Sequence, residues 1–378
     1  MVIAFENHFE RHYEGGARWL HDVLSALGTV THPPLCLVIG AKPANLPGDL
    51  RVAGHVRAHP WRHAPQPRTV EAEIDVVLDR TEADLWVGRQ WLPRLASGIP
   101  RVICWPDFNF RHLEHLDDAE VERIEERWQG VAEAAEAVMM ISQTAADEAL
   151  ASTPTVGERL FVCGYPPVFS ESALAQDPDA VRRRYHLPER FLVVCNQFWL
   201  HKNHAVVVNA LSELAQGGET PPVVAFTGRP HDPRNPDTFG DLLRFVAREG
   251  LHEACRFCGV LRRDEQVGLI RAAEAVIQPS FLEGRGAIVE EASVLGTQVL
   301  CADIPVNHEL RAPGAVFFDP TDPTELAKLM SRRWPAAPRP TAAILDETRG
   351  LTADYGRRLY DVFERTLAAG RRAASSQR

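Results

Sequence analysis

The chain has 378 residues, of which 45% are hydrophobic and 24% charged, with a net charge of −10 at pH 7. This balance excludes a disordered or fibrous chain and leaves room for two domains of ordinary size, each with its own core. No apolar run approaches the ~20 residues of a membrane span, so no integral membrane segment is expected. No nucleic-acid partner is expected either.

The opening stretch, MVIAFENHFERHYEGG, lacks a basic start and a long apolar run, which predicts a cytoplasmic protein. Residues 2–5 read as a short strand. A polar loop then reaches Gly15 and Gly16, ahead of a helical run over 17–26. A glycine loop opening a helix is a candidate phosphate nest, with a flexible turn as the alternative. Strands are predicted at 35–39, 85–87, 101–104 and 138–141, with helices near 70–79, around Arg94, and over the acidic run 118–135. Alternating strands and helices predict a parallel, doubly wound sheet. Residues 1–170 hold 15 Lys plus Arg against 24 Asp plus Glu, so this half carries nearly all of the net negative charge. The Pro-rich stretch 164–179 breaks the pattern, which ends a first domain at 170.

A second alternating series fills a domain over 171–350. Its strands are predicted at 191–195, 223–226, 256–260, 275–277 and 298–302, its helices at 205–215, 238–249, 263–273 and from Ala287 onward. A last helix over 351–369 is expected to cross back to the first domain, with a frayed tail after Gly370. The expected fold is α/β: two doubly wound, Rossmann-like parallel-sheet domains facing across a cleft. Ligands of such sheets bind beyond the carboxyl ends of the strands. The seven cysteines mostly lie in strand-like runs and read as buried free thiols in a reducing compartment. Cys255 and Cys258 form a CxxC with no second pair, which argues against a zinc or redox site.

The chemistry concentrates in residues 278–295, QPSFLEGRGAIVEEASVL. A strand runs into Pro279 and Ser280, a loop carries Gly284 and Gly286, and an amphipathic helix follows. The glycines leave the N–H groups of Gly286, Ala287 and Ile288 open to an anion, and the helix dipole adds partial positive charge. Glu283 stands before this cradle and Glu291 about two turns into the helix. Carboxylates repel phosphate but accept hydrogen bonds from sugar hydroxyls, so the pair points to a nucleotide-sugar. The run NQFWLHKNH, residues 196–204, places Lys202 at the carboxyl end of another strand. A lysine there can neutralise a β-phosphate as it leaves.

Two Glu separated by seven residues resemble the signature of retaining, family-four glycosyltransferases with the GT-B fold. NQFW and HKNH around one strand are similar to bacterial members, and the resemblance is strongest over 191–320. It implies that Glu283 meets the donor sugar, Glu291 the ribose and Lys202 the diphosphate, and that the Gly15–Gly16 loop approaches the same diphosphate. The family's Arg five residues before its Lys is Gln197 here, with Arg229 or Arg285 as substitute cations. Arg285 also stands where relatives carry an aromatic. CRFCGVL, residues 255–261, resembles the edge where main chain near Val260 and Leu261 pairs with the base. CWPDFNFRHLEHL, residues 105–116 with Cys104 before them, resembles a segment that brings Asp107 and His112 to the acceptor hydroxyl or the donor sugar. The plainer roles for these two are turn closure and a surface position. Six tryptophans of the first half, Trp19, Trp61, Trp86, Trp91, Trp105 and Trp128, are candidates for sugar stacking or core.

The resemblance implies a nucleotide-diphosphate sugar as co-substrate, a hydroxyl-bearing acceptor, no cofactor and no bound metal. The acidic first domain favours a soluble acceptor, such as a saccharide or natural-product intermediate, over a lipid-linked one. A nucleotide-sugar epimerase and an inactive nucleotide-sugar-binding protein are the rival readings.

Overall fold

The computed structural model describes residues 1–7, 14–60, 70–88, 98–113, 116–335 and 339–376. It divides into two units, Met1–Arg111 with Leu116–Pro166 and Arg349–Arg378, and His112–His115 with Pro167–Thr348.

The first unit is built on seven parallel strands: β1 (Val2–Glu6), β2 (Leu35–Ile39), β3 (Val56–His59), β4 (Leu85–Gly88), β5 (Arg101–Trp105), β6 (Ala137–Met140) and β7 (Leu160–Val162). Their order is β3-β2-β1-β4-β5-β6-β7. Near-continuous apolar runs such as Leu35–Ile39 form these strands because helices cover both faces. Ile3, Phe5, Val38 and Val87 pack with Leu20, Val23 and Leu24 on one face, whereas Ala4, Leu37, Ile39 and Trp86 pack with Ile74 and Leu78 on the other. The acidic helix Asp118–Ala134 begins at a capping box, in which Asp117 accepts from the Glu120 N–H and Glu120 from the Asp117 N–H. The last helix, Thr341–Ser376, buries Tyr355, Leu359, Val362 and Phe363 in the core of this unit.

The second unit repeats the design with six parallel strands: β8 (Phe191–Cys195), β9 (Val223–Thr227), β10 (Cys255–Gly259), β11 (Ala275–Gln278), β12 (Gln298–Ala302) and β13 (Val316–Phe318). The order is β10-β9-β8-β11-β12-β13. Side chains alternate across the sheet. Leu192, Val194, Phe226 and Ile277 pack with Val207 and Leu211, whereas Val193, Ala225 and Val276 pack with Val267, Ile270 and Val289.

Three strands lie outside the elements expected from sequence, and all three are sheet edges: β3, β7 and β13. β3 buries only Val56, β13 only Phe318, and β7 none of its residues, so none shows an apolar run. The helix expected around Arg94 lies outside the described residues. No described helix is long and apolar enough to cross a membrane.

Candidate active site

The strand order of the second sheet reverses between β8 and β11, with β9 and β10 to one side and β12 and β13 to the other. Loops leaving the carboxyl ends of two such strands diverge and open a crevice for ligands. Both chemistry-bearing stretches leave these two strands. After β8 a 3-10 turn, Leu200–Lys202, presents Lys202. Asn203 stops the turn in a left-handed conformation at φ 51°, and its Nδ2 donates to the carbonyls of Pro279 (3.1 Å) and Pro320 (2.8 Å). The Phe281 N–H donates to the His201 carbonyl at 2.9 Å, which joins the two loops through main chain.

Across this junction Lys202 Nζ stands 2.7 Å from Glu283 Oε1, with the side chains 14% and 9% exposed. Gln278, at the end of β11, orients the carboxylate. Its Nε2 donates to Glu283 and to Ser280 Oγ, and its Oε1 accepts from Asn196 Nδ2 at 2.8 Å. A charged hydrogen bond of this kind contributes about 1.5–3 kcal/mol, and removing one partner leaves the other charge desolvated. The result is a fixed cation beside a fixed hydrogen-bond acceptor.

Gly286 caps the helix Ala287–Leu295 at φ 69°, where a Cβ would lie 2.9 Å from Asn307 Oδ1. Only glycine fits both the backbone and the space. Helix geometry leaves the amides of Gly286, Ala287 and Ile288 without intrahelical acceptors, next to Gly284 and Glu283. Arg285 points its guanidinium at Glu290 (2.5 Å), in a pair whose side chains are 12% and 8% exposed. Arg285 thereby anchors the loop to its own helix. Glu291 is buried and accepts from Arg263 Nη1 at 2.8 Å.

Gln197 has a structural counterpart. Its Oε1 accepts from the Arg229 N–H at 2.8 Å, while the Phe198 N–H donates to the Arg229 carbonyl at 3.1 Å. An arginine at 197 has no acceptor atom and could not make the first bond. The loops after β8 and β9 run so close that a Cβ on Gly228, at φ 137°, would fall 2.0 Å from the Asn196 carbonyl oxygen. The Arg229 side chain is exposed. Val260, just beyond β10, is 57% exposed and Leu261 half-buried.

Sequence reasoning missed the buried Asp232. Its carboxylate accepts from the Leu200 N–H (3.1 Å), the Arg234 N–H (3.0 Å) and Arg234 Nε (3.3 Å), and Arg234 lies 5.0 Å over the Trp199 ring. Although burial opposes ionisation, these bonds hold the Asp232 carboxyl below the usual range. The stretch HDPRNPD resembles any polar turn, and nothing in it marked Asp232 as an anchor for the Lys202 turn. Burial, and then the charge of Lys202, pushes His201 down to about 4, and His204, stacked on Phe198 at 4.3 Å, down to about 3. Both imidazoles are neutral near pH 7.

In the first unit the helix Glu14–Leu27 already contains Gly15 and Gly16, which form its first turn and do not precede it. Asp107 Oδ1 accepts from the Asn109 N–H at 3.0 Å, closing its own turn, and His112 is exposed at the end of the 3-10 turn Asn109–His112. Trp86, Trp105 and Trp128 are core residues and Trp19 packs half-buried against the core. Trp61 and Trp91 lie outside the described residues. All seven cysteines are free, and burial raises the thiols of Cys255 and Cys258 to about 12 and about 11. Among the described residues no group of three or more His, Cys, Asp or Glu gathers as a metal site.

Residues 180–333 match the profile of the family described as Glycosyl transferases group 1. The serotype-specific mannosyltransferase WbdA of Escherichia coli is 26% identical over 231 residues, which is 60% of this chain and 26% of WbdA. The chain thus spans about a quarter of the length of the curated relative it matches. Among solved structures, Anabaena Alr3699/HepE in complex with UDP and glucose aligns over 100% of this chain and 99% of its own, with 16% identity and a TM-score of 0.65. A glycosyltransferase from Rickettsia africae aligns over 97% and 98%, with 13% identity and a TM-score of 0.68. At such identities the likeness is one of fold, and the fold is GT-B, with two Rossmann-like domains. Residues 180–333, less than half of the chain, are thus similar to the glycosyl transferases group 1 family.

Proposed function

We propose that the chain is a retaining glycosyltransferase that moves a sugar from a nucleotide-diphosphate sugar to an acceptor hydroxyl, without a bound divalent metal or other cofactor. The observation that carries this reading is the Lys202–Glu283 pair at the reversal point of the second sheet, beside the open amides of Gly286, Ala287 and Ile288. A donor of this kind presents a diphosphate and sugar hydroxyls side by side, and a fixed cation next to a fixed carboxylate matches both. Lys202 stabilises negative charge as it grows on the β-phosphate, with the helix amides sharing it. Glu283 accepts from a hydroxyl of the sugar and Glu291 from the ribose. The bond between the anomeric carbon and the phosphate oxygen breaks, the acceptor oxygen bonds to that carbon on the same face, and its proton passes to the leaving phosphate.

The name of WbdA and the contents of the HepE complex make mannose and glucose nucleotides the first donors to try. The test is incubation of GDP-mannose or UDP-glucose with a panel of saccharide acceptors in excess EDTA, with the product anomer read by NMR. The expected product keeps the donor's anomeric configuration and forms at an undiminished rate in chelator. Inversion would overturn the retaining assignment, and loss of activity in EDTA the metal-free one. Turnover of donor to an epimer without any acceptor would show an epimerase instead.

A further inference from the structure

We infer that Arg263 is the positioning residue for Glu291 and thereby sets how strongly the site distinguishes ribose from a sugar lacking its 2′ and 3′ hydroxyls. The inference rests on the proposed nucleotide-sugar reading, in which Glu291 meets the ribose. Arg263 opens the helix Arg263–Ala272 that follows β10, and Glu291 lies on the helix Ala287–Leu295 that follows β11. Both helices pack on one face of the sheet through Val267, Ile270, Val289 and Ala292. Their ion pair therefore links the strand edge expected to meet the base with the helix expected to meet the phosphates.

The arginine is itself held from several sides. Nη1 donates to Glu291 Oε2 at 2.8 Å and to Gln266 Oε1 at 3.0 Å, and the guanidinium lies 5.4 Å over the Phe169 ring. The Glu291 side chain is only 2% exposed. A carboxylate buried to that degree without a cation protonates or moves toward water. A protonated carboxyl spends one oxygen as a donor, and a displaced one loses its aim. With Arg263 in place the group stays ionised and fixed, the state in which it accepts from hydroxyls. Arg263 acts on the ribose through Glu291, so its removal should affect recognition of the hydroxyls more than recognition of the diphosphate.

The test compares calorimetric affinities for UDP, GDP and ADP, each beside its 2′,3′-dideoxy counterpart, using the full chain. On whichever base binds tightest, the wild type should prefer the ribose form by about 10- to 100-fold. Glu291→Gln should reduce that preference to within about threefold of unity, and Arg263→Gln should reduce it at least about fivefold. Arg263→Lys should restore most of it, because an ammonium keeps Glu291 ionised. The double variant should discriminate no worse than Glu291→Gln, since the two act as one unit. A general loss of packing would lower both affinities together and leave the ratio unchanged. If Arg263→Gln does not fold, Phe169→Leu decides, with a ratio lowered several-fold in support and a wild-type ratio against. Loss of discrimination in Glu291→Gln but not in Arg263→Gln would overturn the role of Arg263 and leave the ribose reading standing. Absence of any preference in the wild type would overturn both.

Discussion

Among the described residues, the loops beyond β8 and β11 and the loop beyond β5 differ in how far their side-chain bonds reach along the chain. Beyond β8 and β11, side chains bond across strands: Asn196 to Gln278, Gln278 and Lys202 to Glu283, Gln197 to the Arg229 main chain, and Asp232 to the Leu200 main chain. Beyond β5, Asp107 accepts from the Asn109 N–H, its carbonyl takes the Trp105 indole N–H at 2.8 Å, and Arg111 reaches Glu125 on the next helix at 2.9 Å. A network that spans several loops holds its groups in a fixed relation, as charge stabilisation requires. The second unit thus ties its polar side chains together across several loops.

The largest effect should come from breaking the network at its cation. Lys202→Ala should lower kcat by about 100- to 1,000-fold, the usual loss when a preorganised donor to developing charge is removed, with a smaller rise in KM. It should also destabilise the second unit by about 2 kcal/mol, because Glu283 is left buried without its cation. That is a fall of roughly 5 °C in melting temperature. Retained kcat with only weakened binding would make Lys202 a ground-state clamp.

Next in size is the split between the two glutamates. Glu291→Gln should weaken binding of the free nucleoside diphosphate by about one to two decades, whereas Glu283→Gln should leave it unchanged while lowering turnover by a similar factor. Isothermal titration with the nucleotide alone, together with donor kinetics, separates the two. Equal nucleotide affinity in both variants would remove the assigned roles.

Much of this site was legible because its parts are local. A strand, two glycines and a helix start are contiguous in residues 275–295, and NQFWLHKNH directly follows the apolar run of β8. The central strands were legible for the same reason, each being a short, largely apolar run. What escaped was long-range. Asp232 acts on Leu200, Arg263 on Glu291 and Gln278 on Asn196, across separations that no periodicity encodes. The Arg285–Glu290 pair escaped as well, because Glu290 looked like an ordinary helix-face residue. The edge strands escaped because they bury too little to leave a pattern.

Smaller effects should sharpen the other side of the comparison. Asp107→Asn should cost about 1 kcal/mol of stability through its turn and leave nucleotide affinity untouched, as denaturant titration and calorimetry would show. A change in acceptor KM of tenfold or more would instead give Asp107 a part in recognition. The smallest effect concerns His21, whose ring bonds Asp22 at 3.3 Å and Asp49 at 2.7 Å. Burial opposes the charged form, but the two carboxylates outweigh it and raise the imidazole above its ordinary value of 6.5. Because the folded value lies above the unfolded one, its stabilisation is complete below the unfolded value and fades as pH rises through the folded value. The melting temperature should fall slightly on going from pH 6 to 8, less so in His21→Gln, and an identical slope in that variant would remove the histidine from consideration.

The most direct test of the Lys202–Glu283 site is a double-mutant cycle on turnover. Release of nucleoside diphosphate from GDP-mannose or UDP-glucose, whichever is turned over, is measured for the wild type, Lys202→Ala, Glu283→Gln and the double variant. If the pair works as one unit on the donor, the double variant should lose little more than Lys202→Ala alone, far short of the product of the two single losses. Costs that add in the double variant, or turnover that survives Lys202→Ala, would contradict it.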